Sequence, residues 1–198
     1  DEFDFEADRA FHTEGIINIP NIDMKIHVRI SPLEDHSEDE CAPVIVLFDS
    51  LDGRVHDTEK LREELLYTEY AVLGYDGTFD LGEARMIVPK ITEKGPLSKV
   101  CGEYDIESVR VKDHLLLKII SSDRLIEYTV ALTDSTRYCY ISFSGANYHL
   151  EVTSIKRSEE RVADDYIPRI ADLVSISKEK REMFPTFRST VTVWILRQ

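Results

Sequence analysis

Cysteine is scarce and odd in number in this 198-residue chain: Cys41, Cys101 and Cys139 stand far apart. A secreted disulfide framework is denser and even, so a reducing, intracellular compartment, cytoplasmic or nuclear, is expected. There is no Asn-x-Ser/Thr sequon. No apolar run approaches the ~20 residues of a membrane-spanning helix, and the start Asp1-Glu2-Phe3-Asp4-Phe5-Glu6 is unlike a signal peptide. The six histidines form no His-x-His, His-x-x-x-His or His-Glu-x-x-His pair, and no Cys-x-x-Cys occurs. Neither a dedicated zinc site nor any cofactor is therefore expected. Phosphate-cradling glycine loops and the Gly-x-Ser-x-Gly elbow are missing too. Basic residues are in deficit, 24 against 38 acids, for a net charge of −14. That argues against direct nucleic-acid binding, which relies on clustered Lys and Arg.

What is present is alternation. With 42% hydrophobic residues the chain can bury a sizeable core. Residues 105–156 read as one antiparallel β-meander, with strands over 108–112, 115–120, 125–132, 138–144 and 148–156. The joints are short and made of turn formers. Ile126, Tyr128, Val130 and Leu132 share one face, as do Cys139, Ile141 and Phe143. Upstream, Ile22, Met24, Ile26, Val28 and Ile30 alternate with Asp23, Lys25, His27 and Arg29, which predicts a strand with one wet face. The run Val44-Ile45-Val46-Leu47-Phe48 predicts a strand covered on both faces, near the middle of a sheet.

Two further strands are expected over 70–75 and 85–91, joined by a glycine-bearing loop as a wide hairpin. A short helix capped by Asp57 or Thr58 would turn Leu61, Leu65 and Leu66 inward. A C-terminal helix over 158–175 and a last strand over 190–196 complete the reading. The fold class is thus α+β and strand-dominated: the meander, a smaller second set of strands, and one or two packed helices. The divisions are an acidic arm (1–14), a β-rich half with one short helix (15–92) and the meander half (97–198), or else one domain over 15–198. The abrupt ends suggest a domain cut from a longer protein.

One stretch has the look of a motif. The apolar strand ending in Asp49, followed by Asp52-Gly53, resembles the haloacid-dehalogenase phosphotransferases, whose strand leads into Asp-x-Asp-Gly-Thr. Here the aspartates are three apart and Arg54 stands at the threonine position. Phe48–Gly53 and the following Lys60-Leu61-Arg62-Glu63-Glu64-Leu65 also resemble Tudor-type modules, without the aromatics that bind methylated side chains by cation–π contact. Cys101-Gly102 with His114 offers a nucleophile and base, but a structural cysteine is the expected role.

Tyr138 and Tyr140 share a strand face, with Tyr148 across a short turn. They form either a docking surface or the landing site of the C-terminal helix, the latter preferred. Charge is uneven: residues 1–40 carry −9 and residues 154–198 carry +2. With no intact catalytic motif, the expected function is a non-catalytic protein–protein interaction domain of an intracellular scaffold or regulatory protein. It would dock a protein partner, with a basic segment in one version, through a sheet edge, the tyrosine-bearing face or an acidic surface. The alternatives are a divergent Tudor-like module, an acidic chaperone for basic proteins, and an Asp49/Asp52 phosphotransferase. The candidate binding residues are Tyr138, Tyr140, Tyr148, Asp49 and Asp52.

Overall fold

The computed structural model describes residues 3–7, 12–93 and 100–170. Two antiparallel sheets face each other as a β-sandwich. Spatial order in the first is β1 (Phe3–Ala7), β12 (Tyr148–Arg161), β3 (Ile22–Pro32), β8 (Gly102–Val111), β9 (His114–Ile120), β10 (Arg124–Ala131) and β7 (Met86–Glu93). The second runs β2 (Ile16–Ile17), β11 (Tyr140–Ala146), β4 (Ala42–Asp49), β5 (Thr68–Gly74) and β6 (Phe79–Leu81). Among the described residues no helix is long and apolar enough to cross a membrane.

The alternations hold, and they build one core between the sheets. Met24, Ile26, Val28 and Ile30 of β3 lie on its inner face, as do Ile126, Tyr128 and Val130 of β10. From the other side come Ile45 and Leu47 of β4, and Ile141 and Phe143 of β11. β4 sits mid-sheet between β11 and β5, as its unbroken apolar run requires. Tyrosine hydroxyls in this core reach backbone acceptors. Tyr128 donates to the Gly74 and Thr78 carbonyls at 2.7 and 2.8 Å, which ties β10 to the end of β5.

The continuous meander is corrected. β8, β9 and β10 are consecutive neighbours, joined at Lys112-Asp113 and across residues 121–123. After β10 the chain leaves the sheet: β11 pairs with β2 and β4 on the opposite side, and β12 returns beside β3. The two predicted apolar faces are both real, but they meet across the sandwich instead of sharing a sheet. Alternation assigns a face and is silent about the neighbouring strand. The return turn is tight. Gly145 has φ +126°, and a Cβ there would stand 2.0 Å from the Ala42 carbonyl oxygen, so only glycine fits. The expected hairpin over 70–91 is corrected for the same reason, because β5 and β7 belong to different sheets.

The α+β class is corrected to mostly β. Among the described residues the only α-helix is α1 (Glu59–Glu64), besides a 3-10 turn at Glu38–Glu40. Leu61 and Leu66 of the predicted inward stripe are exposed. The helix is under two turns long, and Tyr67 just after it does the docking. Residues 158–161, expected to open a C-terminal helix, extend β12 instead, with Arg157 opposite Met24 and Arg161 opposite Ile22. The free backbone of β3 offers that segment a ladder, and Ser158 Oγ accepts the Glu160 amide (3.1 Å) without starting a helix. Residues 171–175 of that helix, and the strand over 190–196, lie outside the described residues. The acidic arm is no loose tail where it is described: Phe3–Ala7 pairs antiparallel with Tyr148–Val152.

Candidate functional site

At one end of the five-stranded sheet, three segments distant in sequence enclose a cleft of about 990 Å³. They are the turn after β4 (residues 49–51), α1 with its flanks (residues 57–68), and the crossing segment before β11 (residues 136–138).

Its floor is an ion pair. Asp49, the last residue of β4, is buried, and Arg137 Nε donates to its Oδ2 at 2.7 Å. The same guanidinium donates through Nη1 to Thr68 Oγ1 (2.8 Å) and through Nη2 to the Leu66 carbonyl (2.6 Å). One side chain thereby locks all three segments, because a planar fork offers donors in several directions at fixed angles.

The crossing segment is held from behind as well. Arg110, buried in β8, donates to the carbonyls of Lys112 (3.1 Å) and Ser135 (3.0 Å). Thr136 closes a turn on Asp134, its amide and hydroxyl donating to Oδ1 at 2.7 and 2.8 Å. Those bonds, the backbone one first, hold the Asp134 carboxyl below its usual range. Tyr70 Oη donates to the Tyr138 carbonyl at 3.2 Å. The Tyr138 ring stands at the mouth, 61% exposed and tilted against the Tyr140 ring at 6.1 Å between centroids, near exposed Leu66 and Leu51.

A second apolar cluster on the outer face of the sheet supports the site. Phe48 is fully buried between Tyr140 (stacked, 5.5 Å between centroids) and Tyr67 (tilted, 5.8 Å). The Arg62 guanidinium lies 4.9 Å from the Tyr67 ring centroid, a cation–π contact at the cleft wall. Burial, then the neighbouring Glu69 carboxylate that accepts its hydroxyl at 3.0 Å, push the Tyr67 phenol well above its ordinary range.

The nominated residues separate. Asp49 and Tyr138 line the cleft. Tyr140 lies beneath, over Phe48, its phenol pushed up first by burial and then by Asp49. Tyr148 is in the central core at 1% exposure, its hydroxyl donating to the Ser144 carbonyl at 2.5 Å. Asp52 serves its own turn, accepting from Ser50 Oγ (3.1 Å) and the Arg54 amide (3.1 Å) and pairing with His56 Nε2 (3.0 Å). Burial pulls the Asp52 carboxyl up, but the His56, Arg54 and Ser50 bonds outweigh it and the net movement is down. Asp49 and Asp52 thus face different partners and do not converge on one reaction centre. Among the described residues no group of three His, Cys, Asp or Glu could hold a metal ion. Cys101 lies against Cys41, not His114, whose Nδ1 is 3.0 Å from Asp113.

Sequence reasoning missed Arg137, Arg62 and Leu66. The one available signal was an arginine two residues before a predicted inward-facing strand residue, and it is weak. Their convergence depends on the chain crossing between sheets.

No protein-family model and no curated protein matches the chain. Among solved structures it is similar to a toad ovary galectin in complex with thio-digalactose (12% identity, 75% of this chain and 97% of that one, TM-score 0.38). It is similar also to CG-16, a homodimeric agglutinin from chicken liver (12% identity, 75% and 98%, TM-score 0.37). A third is the legume lectin-like domain from Entamoeba histolytica (8% identity, 74% and 75%, TM-score 0.38).

These neighbours are lectins by description; the expected protein-docking domain is corrected on the tyrosine-bearing face it relied on. The three-tyrosine face is divided between mouth, underlayer and core, as described above. On the predicted wet face of β3, the carboxylates opposite are matched by Lys25, His27 and Arg29. The Tudor-like alternative fails as well, since β2 and β3 enter different sheets.

Proposed function

We propose that the cleft is a binding site for a neutral saccharide. A sugar ring presents an apolar C–H face on one side and paired hydroxyls around its edge. It therefore suits a flat aromatic platform flanked by fixed polar groups. The observation that carries the reading is the exposed Tyr138 ring at the mouth of a cleft of about 990 Å³ that is also lined by the carboxylates of Asp57, Glu59 and Glu63. Asp57, Glu59 and Glu63 are acceptors for sugar hydroxyls. The Arg137 guanidinium already donates from each of its three nitrogens, so it organises the floor of the cleft. Four carboxylates against two guanidiniums select against uronic or sialic acids by like-charge repulsion.

The test is a titration of the full chain with neutral and acidic mono- and oligosaccharides, followed by heteronuclear NMR and calorimetry. Neutral sugars are expected to bind, and acidic ones to bind more weakly or not at all. Tyr138→Ala should weaken binding roughly 2- to 10-fold, the worth of one aromatic contact. Failure of every neutral saccharide at tens of millimolar, or binding indifferent to Tyr138→Ala, overturns the reading.

A further inference from the structure

At one end of the sandwich two cysteines meet that are 60 residues apart in sequence. Cys41 immediately precedes β4 of the five-stranded sheet, and Cys101 immediately precedes β8 of the seven-stranded sheet. The Cys101 thiol donates to the Cys41 sulfur at 3.3 Å. Cys41 is buried, its thiol 3.3 Å from the Asn147 carbonyl and 3.7 Å from that of Ser37, while Cys101 is half-buried. Gly102 follows at φ +150°, a backbone conformation that side chains resist, with nothing within 4 Å of where a Cβ would stand. The glycine lets the chain turn there and present Cys101 to its partner.

We propose that Cys41 and Cys101 form a redox dithiol site that reacts with a low-molecular-weight disulfide and closes to an intramolecular disulfide joining the two sheets. The sulfur separation needs to shorten by about 1.2 Å to reach a bonded distance, within the reach of a side-chain adjustment. The more accessible Cys101, as thiolate, attacks one sulfur of oxidised glutathione. A Cys101–glutathione bond forms, the glutathione disulfide breaks, and one glutathione leaves as thiolate and takes up a proton. The Cys41 thiolate then attacks Cys101 Sγ and expels the second glutathione. Overall, two protein thiols lose two electrons and two protons, and one oxidised glutathione becomes two reduced ones.

The resulting link closes the loop between residues 41 and 101, restricting the unfolded chain. A reducing compartment holds the pair open; an oxidising one closes it. The third cysteine takes no part. Cys139 is buried in the central core, and burial pushes its thiol up to about 12.

The experiment uses the full reduced chain, equilibrated in a series of reduced-to-oxidised glutathione ratios. Readouts are intact mass, non-reducing peptide mapping and a thermal scan. The expected result is the loss of two hydrogens, a Cys41–Cys101 peptide pair, and a midpoint higher by roughly 5–15 °C. Cys41→Ser should stop at a glutathione adduct on Cys101. Cys101→Ala, at the more exposed position, should abolish the midpoint gain while keeping the fold. A wild-type chain that retains a stable glutathione adduct, pairs through Cys139, or stays as thiols in oxidised glutathione alone overturns the proposal.

Discussion

The outer face of the seven-stranded sheet around the middle of β3 and the outer face of the five-stranded sheet around Phe48 are built on opposite principles. On the seven-stranded sheet, β3 carries charges opposite to those of β8 across their register, and Arg29 meets a carboxylate on β12 as well. Lys25 faces Glu107, His27 faces Asp105, and Arg29 faces Glu103 on one side and Glu151 on the other. The contacts close at 2.8 Å for His27–Asp105, 2.8 Å for Arg29–Glu103 and 3.0 Å for Arg29–Glu151. That part of the face is solvated and charge-paired, whereas farther along β8 Val109 and Val111 turn outward and are covered by Ile167 and Val162. The five-stranded sheet instead turns Val46 and Phe48 outward, and with Tyr67 they make an apolar layer that must be covered. Residues 50–67 supply that cover, and the cleft opens where it ends. Charge pairs finish a surface, whereas an apolar outer face recruits a loop and leaves a concavity at its margin.

Three perturbations sharpen this contrast. The largest effect is expected from Phe48→Ala, which empties the layer between Tyr140 and Tyr67. A loss of about 4 kcal/mol in urea denaturation is the range for a fully buried phenylalanine. A loss under 1 kcal/mol would mean that the layer contributes little and the faces are not so different.

Next comes Arg137→Ala. It leaves the buried Asp49 carboxylate unpaired and releases Thr68 and the Leu66 carbonyl. About 3 kcal/mol should be lost, the cost of stranding a buried charge. Arg137→Lys should recover only part of it, because an ammonium cannot span three directions in one plane. Full recovery by lysine would reduce the fork to a simple charge.

The smallest effect belongs to the charged face and is read by acid titration. Burial raises the Asp105 carboxyl, but bonds from Lys25 and His27 outweigh it and its folded pKa lies below the ordinary value of 3.8. A carboxyl depressed in the folded state contributes stability above its unfolded pKa and loses it as pH falls through the folded one. Asp113, engaged by His114 and Arg85, behaves alike. Asp23 is raised by burial and then by Glu107, so it works in the opposite direction and blunts the effect. The thermal midpoint should therefore fall by only a few degrees between about pH 5 and 3. In Asp105→Asn that fall should shrink. An unchanged slope would show that the charge network adds nothing.

Much of the fold was legible because burial leaves a period of two in the sequence. β3 was readable from Ile22 to Ile30, β4 from its continuous apolar run, and β8, β9 and β10 from their turns. Of the site, Asp49 and Tyr138 could be nominated and Arg137 could not. A strand residue announces its face through its neighbours, but an arginine in an irregular crossing segment announces nothing. The predicted helix over 158–175 failed at residues 158–161 because Ser158 followed by two glutamates is a good helix start in isolation. The open edge of β3 at residues 22–24 offered a ladder instead.

By itself, then, the sequence determined where strands run, which side of each is apolar, and where the chain turns, since those follow from local sterics and solvent. Only the tertiary structure decided which sheet each strand joined, because antiparallel pairing is open to any strand with a free edge and a matching apolar face. That choice sent the chain across the sandwich after β10. It brought Arg137 to Asp49, 88 residues away, and set Cys101 against Cys41. Both meetings are products of topology, which no local pattern of side chains encodes.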